Sequence, residues 1–314
     1  MSQGTVIAAV DGSAESQAAA QWAAREALLR GLSLHIVHAW QDWSPGFAHA
    51  PFTGTDTAPG DTTITQHWAE RVPRDVADRL REGHPGLRVS VEQVFGRPVD
   101  VLLAAANKAE VLVLGSRGLG ALGGFLAGSV SMPVIAHAER PVVVVRAGER
   151  AEDERQPGRR PGPPAAVPRC GAGARPRQAV RRADRVRLLR RRRTRGPLRV
   201  VHGWDTPTVF GYDREAVDPG HGVAGGLRKA SALTDALRPW RGKFPEVDVK
   251  AQCVVGRAAD HLVDASKDAS LSVVWRRVRR AAIGTHIGPV THAVLHQPRP
   301  FDGAVSGPRQ ECWG

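Results

Sequence analysis

Cysteine is scarce in this 314-residue chain. Cys170, Cys253 and Cys312 are its three cysteines, too few and too irregularly spaced for a disulfide scaffold or a thiolate metal site, which points to a reducing compartment. No basic leader precedes the first apolar stretch in MSQGTVIAAVDGS, and Asp11 interrupts that stretch before it could form a signal core, so a cytoplasmic location is expected. Long hydrophobic runs are absent too. The longest are strand-sized, such as PVVVV at 141–145, well short of the roughly 18 residues of a membrane-spanning helix, and no membrane association is expected. A Walker-type phosphate loop, G-x4-G-K-[ST], occurs nowhere.

Lysine is absent where positive charge is densest. Residues 151–197 hold 15 Arg, no Lys and four acids, a surplus of 11 within a net charge of +13. The rest of the chain is close to neutral. A nucleic-acid-binding arm ordinarily mixes Lys with Arg, so binding of nucleic acid through the Arg tract is an alternative reading and not the leading one.

The pattern that is present alternates strand and helix. TVIAAV is a buried-strand run ending at Asp11, ESQAAAQWAAREALLRG a helix stopped by Gly31, and LSLHIVHAW a second strand. A Pro/Gly-rich loop to about Gly60 precedes a helix over about 62–82, which Pro73 is expected to kink. LRVSVEQVF, VDVLLAAANKA, EVLVLG, VSMPVIAHAE and PVVVVR continue the alternation. Such an order predicts an α/β fold with a parallel sheet covered on both faces.

Pieces of the order recur. LRVVHGWD at 198–205 echoes LHIVHAWQD at 34–42, and GRAADHLVDASKDASLSVV at 256–274 echoes GRPVDVLLAAANKAEVLVL at 96–114 with a constant offset of 160. The chain reads as a tandem duplication.

The chemistry-bearing stretch is GSRGLGALGGFLAGSVS at 115–131. It contains GLGALG, a literal G-x-G-x-x-G, but this follows the fourth strand and not the first, and Glu139 does not end the next strand, so a dinucleotide fingerprint fails on position. The wider spacing, Gly115-x2-Gly118-x9-Gly128-Ser129, runs from a strand end to a helix start. Glycines let backbone amides approach an anion, Ser129 and Ser131 offer hydroxyls, and the helix start adds positive potential. His292 and His296 stand at helical i, i+4 spacing with no third ligand evident. Trp22, Trp40 and Trp204 read as packing residues and not as stacking platforms.

On these residues the chain resembles the universal stress proteins, whose ATP-binding signature is G-x2-G-x9-G-[ST]. The resemblance covers 1–147 and recurs weakly from 198 to about 296, as in tandem stress proteins of high-GC actinobacteria. It implies a five-stranded parallel sheet of order 3-2-1-4-5 with helices on both faces, followed by an incomplete second copy. It also implies ATP at the switch point between strands 1 and 4, with Mg²⁺ arriving on the nucleotide. By position, Ala9, Val10 and Asp11 match the segment meeting adenine, ribose and the metal-phosphate side, Asp11 being the one candidate near the metal. Ala39 matches the adenine-contacting end of strand 2. Leu114, Gly115, Ser116, Arg117 and Gly118 match the stretch beside ribose and phosphates, and Gly128, Ser129, Val130 and Ser131 the triphosphate cradle. Asp11 also fits a second role as the cap of the helix that follows. Family members commonly pair through strand 5, and with the second copy's fifth strand missing that apolar edge is expected to be unpaired, so a homodimer or aggregate through 141–146 is expected.

The second copy departs from the pattern. At the same offset Trp275 stands for Gly115, Val278 for Gly118 and Pro289 for Ser129, so it should not bind ATP. Where a duplicate of VIAAVDGS and its helix should fall, near 170–195, the chain reads CGAGARPRQAVRRADRVRLLRRRRTR, the composition that GC-rich codons yield out of frame. The expected organisation is an ATP-binding domain at 1–147, an irregular out-of-frame segment at 148–197, a partial second domain at 198–297 and an irregular tail at 298–314 lacking a fifth strand. The function implied is a nucleotide-dependent regulatory module in stress response. No catalytic base and nucleophile accompany the cradle, and slow ATP hydrolysis or nucleotidyl transfer at the same site is the enzymatic alternative.

Overall fold

A computed structural model describes residues 4–41, 62–116, 129–146, 165–167, 197–204, 219–266, 269, 271–274, 287–296 and 304–306. The first half runs β1 (Thr5–Ala9), α1 (Ala14–Arg30), β2 (Ser33–Trp40), α2 (Thr62–Gly83), β3 (Val89–Phe95), α3 (Pro98–Lys108), β4 (Val111–Ser116), α4 (Ser131–His137) and β5 (Val142–Arg146). Each element has a local cause. In α1, Ser13 caps the start, and Gly31 at φ 67° ends it. Leu32 N–H reaches Ala27 O at 2.9 Å and Gly31 N–H reaches Leu28 O at 3.2 Å, the paired bonds of a left-handed helix stop. Pro98 opens α3, where a missing N–H costs nothing. Pro73 lies inside an unbroken α2.

The strands stand in the order β3-β2-β1-β4-β5, all neighbours parallel. Both faces are covered, as parallel sheets require. Val6, Ala8, Val111, Val113 and Val143 face α1 and α2, while Ile7, Val37, Leu112, Leu114 and Val142 face α3 and α4. The expected five-stranded order is observed.

The second half rebuilds that order from poorer material: β6 (Ala165–Val167), β7 (Leu198–Trp204), α5 (Pro219–Lys243), β8 (Val249–Val255), α6 (Ala258–Ser266), β9 (Ser272–Val274), α7 (Pro289–Leu295) and β10 (Ala304–Ser306). The whole sheet has ten strands, β3-β2-β1-β4-β5-β10-β9-β6-β7-β8. β6 therefore holds the place of β1, and β10 the place of β5.

Two expectations are corrected here. The segments 148–197 and 298–314 are not wholly without strands, since Ala165–Val167 and Ala304–Ser306 are paired. The remainder of both segments lies outside the described residues. Open strand edges supply rows of N–H and C=O groups that recruit a short extended apolar triplet even where no amphipathic period announces one. The edge of β5 is likewise not open: Val142, Val143 and Val144 pair antiparallel with Ser306, Val305 and Ala304. A homodimer through 141–146 would have to displace β10.

Candidate functional site

At the carboxyl end of β1 the chain turns through Gly12 at φ 85° into α1. Ser13 Oγ accepts from Ser16 N–H at 3.2 Å and donates to Asp11 Oδ1 at 2.5 Å, and Ser13 N–H donates to the same oxygen at 3.0 Å. Ser16 Oγ accepts from Asp11 N–H at 3.3 Å and donates to Ser13 O at 2.9 Å. Asp11 as the helix cap is thereby corrected. Ser13 caps α1, and the exposed Asp11 carboxylate orients the cap. Ser13 stands two residues nearer the helix, so its hydroxyl fills the cap while the Asp11 carboxylate stays outside the helix.

β4 ends against this same turn. A Cβ built on Gly115 would lie 2.6 Å from the Glu15 carbonyl carbon and 2.7 Å from Ser16 N, so glycine is required for the strand to pass beneath the first turn of α1. The sequence assigned this glycine to ligand approach; its demonstrable role is close packing. Ser131, the first residue of α4, donates from Oγ to Gly115 O at 3.3 Å. The starts of α1 and α4 and the end of β4 thus meet at one residue.

The remaining positions divide by side chain. Val10 and Leu114 are core residues, 4% and 3% exposed. Ala9 and Ala39 are half-buried at the ends of β1 and β2, Val130 is half-buried and Ser129 exposed. Arg117, Gly118 and Gly128 lie outside the described residues. Ser116 is buried, and its hydroxyl has no hydrogen-bond partner among the described residues, an unusual state for a buried donor. One neighbour was not singled out from sequence: His38, whose Nδ1 lies 2.7 Å from Val10 O. Because a carbonyl only accepts, Nδ1 carries the proton, and the ring ties β2 to the loop leaving β1. A histidine directly before Ala39 was the available signal, but periodicity says nothing about ring contacts.

In the second half, Pro289 opens α7 after Gly288, and Trp275 and Val278 lie outside the described residues. His292 and His296 stack with ring centroids 3.9 Å apart. Burial, and secondarily the His296 charge, holds His292 below the ordinary histidine range. Among the described residues no group of three or more His, Cys, Asp or Glu could hold a metal ion, and no helix is long and apolar enough to cross a membrane.

The description "Universal stress protein family" applies to a sequence model that matches residues 4–146. A universal stress protein of Mycobacterium tuberculosis is 31% identical over 303 residues, covering 94% of this chain and 94% of that protein. The chain belongs to the universal stress protein family. A second relative, a universal stress protein of Mycolicibacterium smegmatis, is 29% identical over 294 residues and covers 92% of each. The crystal structure of a universal stress protein from Archaeoglobus fulgidus superposes with a TM-score of 0.67 at 14% identity, covering 99% of this chain and 100% of that one. That likeness is one of fold, and it extends the family architecture across both halves. Within this family fold, the residues converging at Gly115 occupy the switch point of the first half, where β1 has neighbours running to either side and ligands of open α/β sheets bind.

Proposed function

We propose that the protein is a cytoplasmic ATP-binding module of the stress response, acting by nucleotide-dependent regulation and carrying its single nucleotide site in the first half. The observation that supports this most is the convergence at Gly115, where Glu15 and Ser16 abut β4 and Ser131 bonds its carbonyl. Asp11, Ser129 and the glycines of the 115–128 loop would surround the phosphates, Ala9 and Ala39 leave room for a flat base, and the orphaned Ser116 hydroxyl fits a ligand oxygen as its partner. Asp11 Oδ1 is already engaged by Ser13, so any Mg²⁺ would be held chiefly by the nucleotide, as that ion ordinarily is.

The test is a thermal melt of the full chain. A ligand that binds only the folded state stabilises it by about 2.7 kcal/mol at 100 times its dissociation constant, a shift of about 5–11 °C for a protein somewhat smaller than this one. Mg-ATP should produce such a shift and NAD should not. Gly128→Val should abolish it, whereas Gly288→Val should leave it intact. No shift with ATP, or equal sensitivity at both glycines, would overturn the reading. Steady release of ADP would favour the enzymatic alternative, and nucleic-acid binding lost on deletion of 151–197 would favour the Arg-tract alternative.

A further inference from the structure

On the face of the first-half sheet that α3 covers, a cleft of about 290 Å³ opens between α3 and the strands. β3 is the outermost strand, and α3 packs over β1 and β2, so the face of β3 carrying Ser90, Glu92 and Val94 is left as one wall. Aliphatic surface from Ile7, Val37, Val94, Val101 and Ala105 lines the interior. Two opposite charges stand on its borders: Glu92 from β3 and Lys108 from the end of α3. Lys108 has no acidic partner among the described residues.

The acidic border is organised. His35 Nε2 lies 2.8 Å from Glu92 Oε2, and His35 Nδ1 lies 2.8 Å from Ser90 Oγ. With Nε2–H donated to the carboxylate, Nδ1 accepts the Ser90 hydroxyl proton, so the ring and one carboxylate oxygen are fixed. This chain of contacts orders the wall and does not activate Ser90, which sits on a regular strand without the sharp turn that lifts a nucleophile out of a sheet. The arrangement is confined to one half. At the paired positions of β7 and β8, Arg199 stands beside Lys250, and Gln252 occupies the place of Glu92 at the offset of 160.

An occupant must match an aliphatic interior with an anionic and a cationic border. From this geometry we infer that the cleft between α3 and β3 binds a small aliphatic zwitterion, an α-amino acid with a branched apolar side chain. The ammonium sits toward Glu92, the carboxylate toward Lys108, and the side chain against Val37 and Val101. Exposed charges contribute little alone, so the aliphatic side chain supplies most of the affinity and the charges set orientation.

The experiment is equilibrium dialysis of the full chain against L-leucine, with glycine, isoamylamine and isocaproate as comparators. Leucine should bind in the millimolar range or tighter, glycine should not bind, and each single-charge analogue should bind about threefold to fivefold more weakly. Glu92→Gln and Lys108→Met should each weaken leucine by a similar factor, and Val101→Trp, which fills the cleft, should abolish binding. Melting curves confirm that each variant is folded. Failure of leucine to bind the folded wild type at about 10 mM, binding unchanged in Val101→Trp, or equal binding of either analogue would overturn the proposal. Because Asp11, Gly115 and residues 129–131 are not among the cleft's lining residues, ATP binding in Glu92→Gln and Lys108→Met is expected to persist, and the two readings can fail separately.

Discussion

The two halves of the chain share a strand order and little else. In the first, β1 has five residues and β5 five; in the second, their counterparts β6 and β10 have three each. At the offset of 160, Leu112 becomes Ser272; both are fully buried, but the Ser272 hydroxyl lacks a partner among the described residues. The difference teaches that a parallel α/β layout survives on backbone pairing and a few apolar positions such as Val113 and Val273, whereas a site needs particular residues at a particular turn. Asp11, Gly12 and Ser13 have no counterpart among the described residues of the second half.

The comparison can be broken most forcefully at its best-packed point. Leu112→Ala should destabilise the protein by about 2–5 kcal/mol, read as a lowered denaturant midpoint; a cost under 1 kcal/mol would mean that the first half is not the better-built one. Gly115→Ala comes next. Its new Cβ would meet the backbone of Glu15 at 2.6 Å, and relieving that overlap should cost about 1–3 kcal/mol. An unchanged midpoint would show that α1 can ride over β4, and would return this glycine to a purely ligand-facing role.

In the second half the sign reverses. Ser272→Ala removes a buried hydroxyl without a partner and should stabilise by about 1 kcal/mol; a loss of stability would show that the hydroxyl is satisfied. The smallest effect concerns pH. His292 has a depressed value in the folded chain, from burial first and His296 second. The folded state therefore binds fewer protons than the unfolded state below about pH 6.5, so stability contributed at His292 is fully present above that value and lost as pH falls through the folded value. His292→Gln should flatten the acid side of the stability profile below about pH 6.5, and an unaltered slope would refute the assignment.

Sequence alone determined the sheet of the first half, because alternating apolar runs and helical stripes can be buried together in few ways. Gly31 marked the end of α1, and the glycine spacing marked where β4 hands over to α4. The offset of 160 announced a second copy and the loss of its glycines. Tertiary structure decided what pairing and packing decide. AAV at 165–167 and AVS at 304–306 carry no period, and they become strands only because β7, β9 and β5 present open edges beside them. Gly115 reads as a ligand glycine until the first turn of α1 is laid across it. His35 on β2 is 55 and 57 residues from Ser90 and Glu92 on β3, and only the register of those two strands, which no local pattern encodes, sets them side by side.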